Sequence, residues 1–150
     1  MNIRQAKTSD ISRIAEMIVF NYRINFFPIF KNEDYYFDEL NVFDVAKEYM
    51  EGEEVLGNTY VYDDGAVKGM IRLHDKEIVK LFVEPQFHSR KIGAQLLAFA
   101  TEQKGAEWLW VLEKNTRGIA FYERNGFELT GERMLEEGWI PVLKMQCVKG

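Results

Sequence analysis

The chain has 150 residues, 47% hydrophobic and 29% charged, enough to bury a sizeable core, so residues 1–150 read as one domain. A net charge of −5 disfavours a nucleic-acid footprint, and the one cysteine, Cys147, excludes an internal disulfide. Two histidines and one cysteine are too few for the usual zinc sites. No stretch forms a signal core or nears the roughly 20 apolar residues of a membrane span, so the reading is cytoplasmic, with no metal and no membrane.

Taken in order, a short strand is expected near Asn2–Ala6, followed by Thr8 or Ser9 as a helix cap. Ile11, Ile14, Ala15, Ile18, Val19 and Tyr22 then share one helical face. Pro28 ends that pattern, and "FFPIF" reads as an aromatic loop. Asn41 caps a second helix carrying Val42, Val45, Ala46 and Tyr49. Asp64-Gly65 sits between two strand-like runs, the dipeptide a tight hairpin prefers. A second turn at Asp75-Lys76 leads into the strand "EIVKLFV". A helix with Ile92, Leu96, Leu97 and Ala100 ends at Gly105. "WLWVLEKN" is a strand, Thr116 to Asn125 a short helix closed by Gly126, and "FELTGERM" and "WIPVLKMQC" are the last two strands. The order βαα-βββ-α-β-α-ββ describes a mixed α/β domain.

Charge is unevenly spread. Residues 31–54 hold nine acids against Lys31 and Lys47, a segment of −7 in a chain whose remainder is +2. Such a run is most often a solvated surface. The densest basic cluster, His88-Ser89-Arg90-Lys91, instead sits on a loop between an apolar strand and an apolar helix. Amides at a helix start gather anions, so this loop suits a phosphate group, with a solvated basic turn as the plain alternative.

Two motifs carry a resemblance that spans essentially the whole chain. The loop His88-Ser89-Arg90-Lys91-Ile92-Gly93 resembles a Gln/Arg-x-x-Gly-x-Gly/Ala turn, and "NTRGIAFYERNGF" resembles an Asn…Phe-Tyr-Glu-x-x-Gly-Phe helix. Both belong to the GNAT superfamily of acyl-CoA-dependent N-acyltransferases, and the two in order are far more specific than either alone. The implied fold is α/β (α+β), a mostly antiparallel sheet of about seven strands flanked by about four helices. His88 and Lys91 depart from the pattern, the latter standing where the family has a glycine able to take positive φ.

The resemblance implies acetyl-CoA as co-substrate, held at its diphosphate by the backbone of about Arg90, Lys91, Ile92, Gly93 and Ala94. His88, Ser89, Arg90 and Lys91 supply the polar side chains. The coenzyme's pantetheine arm would fit where "EIVKLFV" splays from "WLWVL", with a free N–H near Phe82 or Val83 polarising the thioester. Tyr122 would protonate the departing thiolate or pack beneath the cofactor. Glu77 would act as base or be a turn carboxylate, and Asn115 would bond the coenzyme, cap its own helix, or do both. The product of such chemistry is an acetylated primary amine on a small-molecule or peptide acceptor.

By the same resemblance, the acidic segment, "FFPIF" and "LEEGW" form the acceptor side, which suits a cationic amine. The rival readings on this fold are a non-catalytic acyl-CoA-binding module and an interaction protein with a basic partner. A monomer and a homodimer are both compatible with the sequence.

Overall fold

A computed structural model describes residues 2–148, apart from the side chains of Asp38, His88, Ser89 and Arg90, which lie outside the described residues. Seven strands form one sheet: β1 (Ile3–Gln5), β2 (Thr59–Asp63), β3 (Val67–His74), β4 (Glu77–Val83), β5 (Trp108–Leu112), β6 (Phe127–Glu136) and β7 (Ile140–Cys147). Their spatial order is β1-β2-β3-β4-β5-β7-β6, and every neighbouring pair is antiparallel except β4 and β5. A parallel pair needs a crossover, and here α5 (Ile92–Gln103) supplies it.

The sheet separates two apolar layers. On one face α5 presses Ile92, Leu96, Leu97 and Ala100 against Ile71, Ile78, Leu109 and Met145. Gly69 makes that contact possible, because a Cβ there would stand 3.0 Å from both Ile92 Cγ2 and Leu96 Cδ1. On the other face α1 (Ile11–Asn21) and α3 (Val42–Glu51) bury Ile14, Met17, Ile18 and Tyr49 against Val61 and Met70. The helical spacing of the α1 face is the one expected from sequence. Asn41 caps α3 as its spacing predicts, its side-chain oxygen accepting the Asp44 N–H at 2.9 Å.

Three local expectations change. Thr8–Asp10 is a 3₁₀ turn, and Asp10, not Thr8 or Ser9, stands at the cap of α1. The "FFPIF" stretch is not a loop. From α1 the chain stays helical, widened to a π-helical segment at Tyr22–Phe26 and then α-helical over Phe27–Phe30 as α2. Pro28 lies in the first turn of α2, where its missing N–H breaks no bond, and Lys31 at φ 53° ends the helix. Two further short segments, a π-helical Asp34–Glu39 and α4 at Glu53–Gly57, fill the acidic region.

Asp10 ties the first strand to the first helix. Arg4 donates to both its oxygens at 2.8 and 3.0 Å and also reaches Asp63 on β2. The Arg4 guanidinium holds the Asp10 carboxyl below the usual carboxylate range, against the opposing pull of its burial. A lowered acid stabilises the fold fully above its unfolded value of about 3.9 and loses that contribution as pH falls through the folded value. Asp10→Asn should cost about 1–3 kcal/mol at pH 7. That cost should shrink in urea titrations as pH falls below about 4, where first the unfolded and then the folded wild-type carboxyl protonates.

Candidate functional site

The site begins where the sheet fails to close. β4 and β5 pair only at Glu77↔Trp108 and Ile78↔Leu109, after which the rest of each strand runs on without its neighbour. β5 keeps a full five-residue ladder to β7, and β4 keeps its ladder to β3. The β3 register shifts by one between Arg72↔Lys80 and Leu73↔Ile78, so Val79 is an extra residue in β4. Such a bulge bends and twists its strand, consistent with β4 leaving β5 at this point.

Hydrogen-bond parity decides which amides face the gap. Glu84 N–H donates to the Lys68 carbonyl at 2.9 Å, on the β3 side. Alternation along an antiparallel ladder then turns the amides of Phe82 and Lys80 to β3 as well. Leu81 and Val83 therefore turn theirs toward β5. Of the two expected positions, the ladder turns the Phe82 N–H to β3 and the Val83 N–H toward β5, and it adds Leu81, which the motif comparison did not single out. Strand parity read from a single structural bond was the missing signal.

Beyond β4 the chain forms a 3₁₀ turn over Pro85–Arg90 and enters α5. Lys91 sits at the junction in the left-handed region, φ 59° and ψ 23°. That conformation costs an L-residue about 1–2 kcal/mol, and it turns the following amides of Ile92, Gly93 and Ala94 out as the unpaired first turn of α5. The first α5 bond recorded from this junction is Gln95 N–H to the Lys91 carbonyl, 3.1 Å. The His88, Ser89 and Arg90 side chains lie outside the described residues. Gly93 lets α6 (Thr116–Arg124) approach: a Cβ there would meet the Phe121 ring at 3.2 Å and Val83 Cγ2 at 3.6 Å.

Asn115 starts α6, its Oδ1 accepting the Gly118 N–H at 3.0 Å. Of its two expected roles, the cap is therefore formed. Tyr122 follows two turns later, half-buried beside Phe121 and Phe127 at ring distances of 5.2 and 5.9 Å. Burial pushes its phenol up to about 12. Glu77 stands at the closed end of the gap, next to the last β4–β5 pairs. Burial raises its carboxyl above the usual range, with His74 and Lys144 opposing. It is thus half-buried at the strand start, while Glu113 is tied to Arg133 (3.1 Å) and His74 is exposed beside Asp75.

Two segments that the resemblance assigns to the acceptor side meet. Phe30 of α2 meets Trp139 of the β6–β7 turn edge-on, with centroids 6.1 Å apart. Tyr22, Phe26 and Phe82 form an aromatic cluster below, 5.1 to 6.5 Å between centroids. The described carboxylates of the acidic segment are exposed to solvent, and Glu48 is paired with Arg72 at 2.7 Å.

With this geometry in place, comparison with known proteins is informative. Residues 56–129 match the acetyltransferase (GNAT) domain family, a span that runs from the end of α4 through the gap, the α5 loop and α6. Over that span the chain is similar to a GNAT acetyltransferase domain. An uncharacterized N-acetyltransferase of Methanocaldococcus jannaschii is 38% identical over 73 residues, 45% of this chain and 31% of that protein, so the match spans about a third of its relative. The solution structure of apo YjaB from Escherichia coli superposes with a TM-score of 0.77 at 19% identity, covering 99% of this chain and 97% of the other. The PaiA N-acetyltransferase of Thermoplasma acidophilum, solved in complex with coenzyme A, gives 0.64 at 21% identity over 95% and 96%. At these identities the two structures establish a shared fold.

The turn into α5 carries one local cost, the strained Lys91. Replacing it with glycine removes the strain, and replacing it with alanine does not. Lys91→Gly should be more stable than Lys91→Ala by about 1 kcal/mol in chemical denaturation, the relief of strain being partly offset by the greater freedom of unfolded glycine. Equal stability of the two variants would contradict the left-handed backbone at this position.

Proposed function

We propose that the protein is an N-acetyltransferase that moves the acetyl group of acetyl-CoA to a primary amine, by direct attack in a ternary complex. The observation that carries this reading is the gap between β4 and β5, which ends at the open N-terminus of α5 within a matching GNAT domain. A strand edge that turns the Leu81 amide away from β3 suits the amide-bearing pantetheine arm, and the first turn of α5 suits a diphosphate.

Acetyl-CoA supplies an activated acyl group as a thioester, and the protein's residues do the rest. Ile92, Gly93 and Ala94 donate backbone N–H groups to the diphosphate, with Arg90, Lys91, Ser89 and His88 adding polar side chains. Val83 lines the arm, and the Phe82 ring forms a wall on the α1 side. The Leu81 N–H donates to the thioester oxygen as the amine forms its bond to the carbonyl carbon and that oxygen gains charge. Losing one such donor typically costs about 3–4 kcal/mol of transition-state stabilisation.

Tyr122 then gives its proton to the sulfur as the carbon–sulfur bond breaks. A free phenol near 10 and a free thiol near 8.5 differ by roughly 1.5 units. Burial raises the phenol to about 12, and the same apolar surroundings raise the thiol in the same direction. The nitrogen's proton leaves toward Glu77, directly or through water. Its raised carboxyl narrows the gap of about six units that separates a free carboxylate from a free ammonium.

Two measurements test this. Acetyl-CoA should bind wild type at micromolar Kd in calorimetry and bind a protein with Arg90 and Lys91 both changed to Ala about tenfold or more weakly. A folded wild type that binds neither acetyl-CoA nor longer acyl-CoAs would overturn the reading. Tyr122→Phe should lower kcat for thiol release by about 10²–10⁴-fold, the ordinary worth of a positioned acid. In wild type the raised phenol stays protonated through pH 9–10, so the alkaline fall in rate should come later than a free tyrosine would give.

A further inference from the structure

The bulge at Val79 does more than bend β4. Ile78 and Leu81 both pack toward the α5 core, with two residues between them where strict alternation allows an odd number. The consequence is that Lys80, which strict alternation from Ile78 would send into that core, lies on the α1 face with Phe82 and Tyr22. Its Nζ donates to the Tyr22 hydroxyl at 2.7 Å and lies 5.3 Å from the centre of that ring. Among the described residues it has no carboxylate within ion-pair distance.

The surrounding groups are also donors. Tyr22 accepts from Lys80, so its own O–H proton is unspent. Tyr49, 1% exposed, buries a hydroxyl that faces the Arg72 guanidinium, itself a donor, and whose own proton meets no acceptor among the described residues. Arg72, paired with Lys80 across the ladder, lies 5.6 Å from the Tyr49 ring and is neutralised by Glu48. Lys80 with Arg72 against Glu48 leaves one net positive charge. Burial by itself would lower the Lys80 value, and Tyr22, Tyr49 and Glu48 more than offset it, so the group stays an ammonium. A half-buried ammonium with no carboxylate in ion-pair range among the described residues, beside hydroxyls whose protons are unspent, is an arrangement that an incoming anion completes.

We propose that Lys80, Tyr22 and Tyr49 form a subsite for an oxyanion carried by the acceptor itself, so that the acceptor is an amine bearing a carboxylate or phosphate group. The inference rests on the N-acetyltransferase reading and names the substrate class for it. Lys80 directly precedes Leu81, the residue whose amide faces the gap, so an oxyanion held here leaves the acceptor's amine near the thioester. The acidic segment does not oppose this, because its described carboxylates are solvent-exposed and its one contact with this cluster, Glu48, is committed to Arg72. The cationic amine that the resemblance and the acidic segment suggested thus gives way to a zwitterionic one.

The test uses matched acceptors: glycine against glycinamide, and O-phosphoethanolamine against ethanolamine, with thiol release as readout. Wild type should prefer an oxyanion-bearing member by about tenfold or more in kcat/KM. Preference confined to the first pair identifies a carboxylate, and to the second a phosphate. Lys80→Met should bring that ratio close to one and Lys80→Arg should retain most of it, with circular dichroism reporting that each variant folds. Equal rates within both pairs in wild type, or an unchanged ratio in Lys80→Met, would overturn the proposal. If wild type binds acetyl-CoA but turns over none of the four, the aromatic NMR signals of Tyr22 and Tyr49 decide. They should shift with O-phosphoethanolamine or glycine and not with the neutral partners, and no shift with either overturns the subsite. If acetyl-CoA itself fails to bind, the N-acetyltransferase reading falls, and those same signals still report on the subsite alone.

Discussion

The structure depends on a ladder that stops early. Pairing between β4 and β5 ends at Ile78↔Leu109, yet each strand remains held on its other side, by β3 and by β7. An unpaired strand edge inside a sheet is expensive, because backbone polar groups removed from water need partners. Here the edge lies in an opening, and the opening is where a ligand with amide groups of its own can pair. The bulged Val79 couples two outcomes, since the local twist that accompanies β4's departure from β5 also sets Lys80 on the face beside α1.

Around that gap the chain brings three segments close by using small residues and one strained one. Gly69 admits α5 onto β3, and Gly93 admits Phe121 of α6 against the start of α5. Lys91 takes a left-handed backbone where glycine would take it without strain. The gain is a junction at which strand, turn and helix N-terminus follow within nine residues, Val83 to Lys91. The side chain retained there carries a positive charge beside the first turn of α5. Strain of this kind persists where the surrounding packing over-determines the backbone, here by the buried Ile92 and Leu96 on α5.

Much of this was legible in the sequence. Asp64-Gly65 marks the hairpin, Asn41 marks α3, and the paired motifs around His88–Gly93 and Asn115–Phe127 mark the loop and α6. What was hidden has physical reasons. A bulge at Val79 leaves no glycine or charge to announce it, so neither the facing of Lys80 nor the parity of Leu81 and Phe82 could be read from period-two alternation. Pro28 looked like a terminator because proline breaks helix interiors, and the π-helical widening that places it in a fresh first turn has no local code. The acidic segment is conspicuous in composition, yet its described carboxylates are solvated, and the only one in the site cluster is Glu48, held by Arg72.

The central claim is that adjacent amides on β4 have opposite fates, Phe82 bonded into the sheet and Leu81 offered to the gap. Residue-resolved amide hydrogen exchange, with and without saturating acetyl-CoA, measures this directly. The account predicts fast exchange at Leu81 and slow exchange at Phe82 in the free protein, with Leu81 becoming protected when acetyl-CoA is bound. Equal protection of the two amides in the free protein, or a Leu81 amide unaffected by bound acetyl-CoA, would contradict it.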